Sequence, residues 1–502
     1  MIRPVYAFAG LATVFSCACF MSNAPSISTK SQGSYVKNDK VKRSGVNVTQ
    51  LYNDTCSKCH GVNGEGGGGG TKSLLTVDKF DEKWDKPFFD ATRNGVSNMG
   101  MEPYGDTMSD EEVWALVVHI RELQLKAIRN ETAPTQENGV YSTDHEKYRI
   151  ETVVKFDHKP KEKSLTPWSM TWLPDKTMLV TNRIGDLAVV RDNQIIGKVE
   201  NLPASTELGQ GGLMEVAAHP DYKTNGWVYL SLADPKNGDR GQAFTKYVRG
   251  KLKFEGSRIL WTDQQTIFQM PEENYNGSGV HYGGKIAFDG KGHIFFSIGE
   301  RGNGPLAQRL DKPNGKIYRL NDDGTVPSDN PFVKTPGAIG AIWTYGHRNP
   351  QGLTIDSKGE VWDTEHAPRG GDELNHIVKG NNYGWPIITY GINYNDSSLS
   401  VPWPTADQKF TLPVTRWLPS CATSGLKEYN GSAFPKWRGD LLAGGLAGKV
   451  IDRIRVKNDK VVERETILFN LGRTRDIGIG PDGFIYAAVN EPDMIVRLVP
   501  AK

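Results

Sequence analysis

Six segments of this chain follow one pattern, a turn built from Pro, Asp and Gly and then a run of strand-forming residues. They are LPDKTMLVTN (173–182), HPDYKTNGWVYLSLA (219–233), FDGKGHIFFSIGE (288–300), IDSKGEVWDTE (355–365), the less regular FPKWRGDLLAGGL (434–446) and GPDGFIYAAVNE (480–491). Successive starts lie about 45–80 residues apart, and a blade of four strands takes ~40–50 residues, longer spacings being insertions. The spacing therefore predicts a mainly β chain whose larger part, residues 148–502, is a six-bladed β-propeller. A β-sandwich with similar turns is the competing architecture, and the repeat count disfavours it. The 55 glycines in 502 residues suit this turn-rich reading.

Charge removes other classes. With 60 basic and 58 acidic residues the formal net charge is +2, so no long-range field favours nucleic acid, and none is expected as a partner. Beyond the first 25 residues there is no apolar run of the ~18 residues a polytopic membrane protein needs. The N-terminus reads as a bacterial export signal: Arg3 supplies the positive start and Pro4 to Phe20 the apolar stretch. Ser16-Cys17-Ala18 and Ser22-Asn23-Ala24 are both small enough for a cleavage point; lipidation at Cys17 or Cys19, or an uncleaved anchor, are the alternatives that would bring in a membrane. The expected location is periplasmic or secreted. The expected organisation is a signal peptide (1–24), a linker (25–46), a small helical unit (47–129), a second polar linker (130–147) and the propeller (148–502). Five cysteines in a chain of this length make no disulfide framework, and Cys421 reads as a core residue or free thiol.

The helical unit carries the first chemistry. Val48 to Cys56 and Phe80 to Arg93 read as helices. Ser109-Asp110-Glu111-Glu112 starts a third with a cap and first-turn acids, followed by a stripe of Val113, Leu116, Val117, Ile120 and Leu123. Cys56-Ser57-Lys58-Cys59-His60 is C-x-x-C-H, the attachment motif for covalent c-type haem. Two thiols a helical turn apart can add to the two vinyl groups, and the adjacent imidazole then ligates the iron. Alone, the pentapeptide also fits a redox dithiol or a zinc half-site. Its setting in an exported unit of small size, with a methionine loop before the last helix, favours haem. Met101 is the expected second axial ligand, with Met99 and the more distant Met108 as competitors. Residues 47–125 resemble a small, all-α class I cytochrome c domain, and thioether ligation would suit an electron acceptor. The run Gly66 to Gly70 follows the motif.

In the β region, charged and amide groups sit beside tight glycine turns: Gln210 in GQGGL, His281 in VHYGGK, Arg348 and Asn349 in GHRNPQG, the segment EHAPRGGDE (365–373), and Arg473 and Arg475 in GRTRD. Loops at one end of propeller blades converge on the axis, so arginines from separate blades concentrate positive charge and call for an anion. A polycarboxylate fits, because guanidinium forks pair bidentately with carboxylates. His281 is the candidate general base.

From about 165 to 500 the chain closely resembles the glucose/sorbosone dehydrogenase family, nearest its soluble aldose sugar dehydrogenase branch. The resemblance is carried by HPDY (219–222), HYGGKIAFDGKG (281–292), LDKPNGKIYRLNDDGTVPSDNPF (310–332), GHRNPQG (346–352), EHAPRGGDELN (365–375), NNYGWPIITYGINY (381–394) and RTRDIGIGPDG (473–483). It implies a six-bladed propeller that uses pyrroloquinoline quinone (PQQ) and calcium. It implies that His281 is the catalytic base at the sugar's anomeric hydroxyl, and that Arg348 and Asn349 contact the quinone end of the cofactor, Arg348 stabilising charge there. Gln210 matches an active-site glutamine, and Arg473 and Arg475 hold the cofactor carboxylates. The carbonyls of Ala367 and Pro368 match calcium ligands beside the cofactor, and Asp372, Glu373 and Tyr383 match a second, structural calcium site. Three positions depart from the glucose-specialised branch: Val280 replaces an aspartate, Ala447 a cofactor-binding lysine (with Lys449 nearby), and Ala367 a glycine. These argue against glucose specialisation.

The joined reading is an exported dehydrogenase that oxidises an aldose or related aldehyde at C1 by hydride transfer to PQQ and passes electrons through its fused haem to a downstream carrier. The rivals are a calcium-dependent, lactonase-like propeller hydrolase and a non-catalytic redox or sugar-binding propeller that has lost PQQ.

Overall fold

The computed structural model describes residues 46–156 and 164–501. The export signal, with Cys17 and Cys19, and all but the last residue of the first linker lie outside the described residues.

From Pro167 the chain runs as successive four-stranded meanders. Their first strands are Pro167–Trp172, Leu213–Ala218, Ile286–Phe288, Pro350–Ile355, Thr423–Glu428 and Arg473–Ile479. Each lies against the first strand of the next meander, and the last returns to the first, so these strands form a ring. The second strands are Met178–Asn182, Trp227–Lys236, His293–Ile298, Val361–Glu365, Leu441–Gly445 and Ile485–Asn490. These are the strands of the six repeated segments; each Pro/Asp/Gly turn is the corner between the first and second strand of its meander. Four of them, including Val361–Glu365 and Ile485–Asn490, are buried at every residue. A sheet covered on both faces needs continuous apolar strands rather than alternation, which is why these runs stand out in the sequence.

The meanders group into five sheets among the described residues. The first two share one sheet through a short parallel contact of Ile259 and Leu260 with Val199 and Glu200. The third, fourth and fifth stand as separate four-stranded sheets. The last is completed from the other side of the sequence: Lys147–Lys155 pairs antiparallel with Met494–Pro500.

The second linker proves to be structured. Thr135–Glu137 and Val140–Ser142 form a hairpin about Asn138-Gly139, both at positive φ (51° and 77°). Asn-Gly is the favoured pair for such a turn, and the polar flanks masked it. Tyr141 then pairs with Tyr148 and stacks on it at 5.6 Å, extending the last sheet.

Residues 46–129 form helices α1 (Val48–Thr55), α2 (Ser57–His60), α3 (Asp85–Asn94) and α4 (Asp110–Ile128), with short 3-10 turns. The expected helix from Phe80 begins later, at Asp85, because Pro87 is tolerated only in a first turn. Ser109 and Glu112 form a reciprocal capping box that starts α4. The stripe read from sequence covers only one side of α4. Trp114 and Val118, off that stripe, are buried too, in a core that includes Tyr390, Ile392 and Leu418 of the β region with Trp403 at its edge. The Trp114 indole N–H donates to the Tyr390 carbonyl at 3.0 Å, and its ring meets Trp403 edge-on at 5.3 Å. Helix α4 is therefore sandwiched between its own unit and the β ring.

Removing a fully buried tryptophan costs about 3–5 kcal/mol. Trp114→Ala is expected to split the calorimetric unfolding of the haem-loaded protein into two transitions, the helical unit melting first. A single transition at the wild-type temperature would show that this shared core does not hold the two folds together.

Candidate functional site

Gln210, His281, Arg348, Asn349, Arg473 and Arg475 all lie at, or shortly before, the first strand of a meander, so one end of the ring gathers them. Hydrogen bonds knit the cluster. The His281 backbone N–H donates to Gln210 Oε1 at 2.9 Å, and the Gly283 N–H donates to Asn349 Oδ1 at 3.1 Å. Beneath them, the buried ammonium of Lys285 bridges Glu215 (2.6 Å) and Asp476 (2.8 Å), tying three separate meanders together.

His281 sits at φ 54°, a left-handed conformation unusual for a side chain of its size. Strain of this kind clusters at functional sites. Its Nδ1 is bonded to Glu300 Oε1, which leaves Nε2 as the nitrogen that can take a proton. Burial lowers the His281 pKa below the ordinary histidine value; the Glu300 bond opposes this and the Arg348 charge adds to it. The imidazole is thus held neutral and oriented, the state a general base needs.

Arg348 is buried. Its Nη1 donates to the carbonyls of Ala367 (2.8 Å) and His366 (3.2 Å), and its backbone N–H donates to Glu365 at 2.6 Å. The Ala367 carbonyl oxygen thus accepts from a guanidinium. Asn349 Nδ2 is shielded and has no hydrogen-bond partner among the described residues. Arg475 stacks on Trp168 at 4.2 Å and donates to Gln351 at 3.0 Å, while its Nε has no partner. Burial first, then Arg473 and Arg183, push its pKa down to about 9. Arg473 has one carboxylate near it, Glu491 at 4.0 Å. Converging guanidiniums short of counter-charge fit an acidic ligand such as PQQ.

His366 stands among Arg348, Arg475 and His281, which with burial hold its pKa at about 3. Its shielded Nε2 has no partner among the described residues. It lines both cavities at this end: one of about 220 Å3 with Ala367, Pro368 and Asp372, and a tight one of about 10 Å3 with Glu365, Glu373 and Tyr383.

The two cavities separate residues that the family resemblance grouped together. The Asp372 carboxylate accepts from the Ala367 N–H (3.1 Å), Ser420 Oγ (2.8 Å) and the Thr423 N–H (3.1 Å). It pins the loop from the first cavity and does not join Glu373 and Tyr383 at the second. Neighbours on a strand face opposite sides, which is the physical reason. The partners of Glu373 are instead cross-strand: Glu365 pairs with Glu373 and Asp363 with Asn375, so three carboxyls share one face. Asn375 Nδ2 reaches Glu365 (3.2 Å) and Glu373 (3.3 Å), and both oxygens of Asp363 lack a hydrogen-bond partner among the described residues. Oxygen atoms of Asp363 and Glu365 and a ring nitrogen of His347 lie within 4.8 Å of one another. Burial and mutual repulsion push the acids at Asp363 and Glu373 well above the carboxylate range. A single hard cation fits such a pocket; a sugar does not.

In the helical unit, Cys56 ends α1 and Cys59 and His60 belong to α2. Burial pushes the Cys56 thiol up to about 11, the reverse of a reactive redox dithiol. Burial lowers the His60 pKa, favouring the neutral, metal-ligating form, and its Nδ1 is shielded without a partner among the described residues. Tyr52 donates from its hydroxyl to the Gly61 carbonyl at 2.9 Å, bracing the motif. Of the three methionines, Met99 is 74% exposed, Met108 is buried in the core beside α4, and Met101 is half-buried with its backbone bridged to Val96. These residues fit a thioether-bound haem with Met101 as the second ligand. Gly68 packs so close to Lys58 and Cys59 that a Cβ there would lie 2.1 Å from the Lys58 carbonyl oxygen, whereas Gly67, Gly69 and Gly70 face open space. At least one glycine of the run is thus needed to let the loop cross the motif.

Sequence reasoning missed Glu300, Arg183 and Asp363, and gave Glu365 and His366, inside the segment EHAPRGGDE, no role of their own. A signal for two of them lay inside the repeat. Three of the repeated segments end SIGE, WDTE and AVNE, and these glutamates, at or just past the end of a second strand, meet His281 (Glu300), Arg348 and His347 (Glu365) and Arg473 (Glu491).

Residues 165–497 match the Glucose / Sorbosone dehydrogenase family model, and residues 46–120 match that of the cbb3-type cytochrome c oxidase subunit III. The aldose sugar dehydrogenase YliI of Escherichia coli K12 is 40% identical over 330 residues, 65% of this chain and 87% of that protein. Quinoprotein glucose dehydrogenase B of Acinetobacter calcoaceticus is 31% identical over 259 residues, 46% of this chain and 52% of its own. The crystal structure of the soluble aldose sugar dehydrogenase from Escherichia coli in its apo-form superposes with a TM-score of 0.64 at 37% identity, over 70% of this chain and all of that one.

Proposed function

The chain belongs to the glucose/sorbosone dehydrogenase family, and from that membership we propose that it is an exported quinohaemoprotein that oxidises aldoses or related aldehydes at C1. The six meanders are read as the six blades of a propeller, and residues 47–129 as its fused cytochrome. One observation carries the reading: a neutral, glutamate-braced imidazole stands beside guanidiniums short of counter-charge, in a chain that also bears a haem-attachment motif.

Arg473 and Arg475 would hold the carboxylates of PQQ and Arg348 and Asn349 its quinone end, with Gln210 in the active site against the His281 N–H. When bound, PQQ supplies an electrophilic carbon that accepts hydride. His281 Nε2 removes the proton from the C1 hydroxyl of the sugar as the C1–H bond breaks, and the product is the lactone. Glu300 fixes the tautomer of His281 and supports the imidazolium that results. Calcium is held by the Ala367 and Pro368 carbonyls and, in the tight cavity, by Glu373 and the Tyr383 carbonyl, with Glu365 and Asp363 beside them. Cys56 and Cys59 carry the haem, and His60 and Met101 ligate its iron. Electrons leave one at a time to a downstream carrier outside the cytoplasmic membrane.

The deciding experiment reconstitutes the haem-loaded apoprotein with PQQ and calcium and adds aldoses while the Soret and α bands are followed. Haem reduction that needs both sugar and PQQ is the expected result. Lactone turnover without haem reduction would replace this reading with a calcium-dependent hydrolase. Absence of both quinone uptake and aldose turnover would leave a non-catalytic redox or sugar-binding propeller that has lost PQQ.

The ligand assignment has its own check. Met101→Ala is expected to abolish the sulfur-to-iron band near the red end of the ferric spectrum and to lower the haem potential, whereas Met99→Ala leaves both unchanged. The converse pattern would move the ligand to Met99.

A further inference from the structure

The 220 Å3 cavity has a wall that does not belong to the β ring. Glu122, on helix α4, lines it together with Arg369, His366, Pro368, Ser420 and Ala447. Arg369 follows directly on Pro368 in the chain, and its guanidinium is forked on Glu122, Nε to Oε1 at 2.7 Å and Nη2 to Oε2 at 2.6 Å. Asp396 pairs with the remaining nitrogen, Nη1. Asp396 is in turn tied to the start of the helical unit: Asn47 Nδ2 donates to its carboxylate and the Val48 N–H to its carbonyl, both at 2.9 Å. One cation on the cleft wall thus holds two carboxylates, one from each fold. The three side chains are 28%, 23% and 22% exposed, so a ligand entering the cavity can reach them.

The local charge count is one guanidinium against two carboxylates, an excess of one negative charge. Arg475, a few residues into the last meander, has no carboxylate in hydrogen-bond contact. His366, which lines this cavity, is the residue that links it to Arg475; Arg475 is short of counter-charge among the described residues, whereas Arg369 on the cavity wall is over-neutralised by Glu122 and Asp396. A guanidinium fork accepts one carboxylate at a time on a given edge.

We infer that Glu122 competes with an acidic ligand of the cleft for Arg369, so that filling the cleft and docking the haem-bearing unit are thermodynamically linked. The inference rests on the reading of this cleft as the seat of an acidic quinone. Linkage is reciprocal: if the ligand loosens the Glu122–Arg369 fork, the fork weakens the ligand by the same factor. Helix α4 stays anchored by Trp114, Tyr390 and Trp403 while the fork exchanges. The haem-bearing unit then responds to cleft occupancy without leaving its seat.

The test is an equilibrium measurement that needs no turnover. PQQ is titrated calorimetrically into the haem-loaded full chain, with calcium in excess, at low and high salt. Arg369→Gln is expected to weaken uptake about tenfold, and Glu122→Gln to tighten it about three- to tenfold, by freeing the guanidinium. The tightening should shrink several-fold at 0.5 M salt, where exposed charges are screened. Arg369→Lys keeps the charge without the fork and should bind within about twofold of wild type; it keeps the test decisive should Arg369→Gln fail to fold. A merely structural fork would make both neutralising substitutions weaken binding, and that result, or no change in either, overturns the linkage. If wild-type protein takes up no quinone at all, the reading of the cleft itself fails and the linkage falls with it.

Discussion

His281→Ala is expected to abolish sugar-dependent reduction of the haem, with kcat/KM falling by about 10²–10⁴-fold, while the haem bands keep their positions. The loss is specific because the imidazole lies at the head of the β ring and the haem motif lies in the helical unit. The same residue should set the acid limb of the pH profile. Burial places the His281 pKa below its ordinary value of 6.5 in spite of the Glu300 bond. The base is therefore neutral and competent at neutral pH, and kcat/KM should fall only below pH 6.5, as the imidazole takes up a proton. Glu300→Gln keeps an acceptor for the imidazole but removes the negative charge that opposes this shift, so the limb should move to still lower pH while the rate drops. Stopped-flow haem reduction from pH 5 to 8 measures both. A His281→Ala protein that keeps most of its activity would remove His281 from the role of base.

Removing calcium should have the second large effect, on stability. Asp363, Glu365 and Glu373 share one buried face, with the Asp363 oxygens lacking a hydrogen-bond partner among the described residues. A bound divalent cation neutralises that face. A ligand present at a thousandfold its Kd stabilises a fold by about 4 kcal/mol, and losing that much lowers Tm by roughly 5–10 °C in a domain of a few hundred residues. Chelation of the wild type should produce this drop, and calcium should restore it where magnesium does not. Glu373→Gln should melt lower than wild type in calcium and respond little to the chelator. An unchanged Tm on chelation, confirmed by metal analysis of the chelated protein, would mean that the acids share protons instead of an ion.

Much of this was legible in the chain. The repeated corner-and-strand segments became the second strand of every meander, because a strand covered on both faces is rich in apolar residues and its corner favours Pro, Asp and Gly. The candidate site residues stood out because they flank glycine turns at the start of four of the six meanders. What escaped was pairing. Nothing in VHYGG announces that Glu300, nineteen residues on, grips His281, although the glutamates that end three of the repeated segments were in plain view. The split between Asp372 and Glu373 follows from strand alternation, but only once the segment is known to be a strand. The hairpin at Asn138-Gly139 was hidden by its polarity. The outer face of α4 was invisible, since Trp114 and Val118 fall off the helical stripe and find their partners nearly 300 residues away.

The strand Lys147–Lys155 has a consequence for how the molecule is made. It leaves the ribosome before any meander, yet its partner Met494–Pro500 follows the other five meanders, with Lys155 opposite Met494. Such distant pairing forms late and slowly, so the nascent wheel must wait with an unpaired edge at its seam. An unpaired edge is a template for another chain. Refolding at high concentration should therefore yield dimers that have exchanged this strand, and dilution should suppress them.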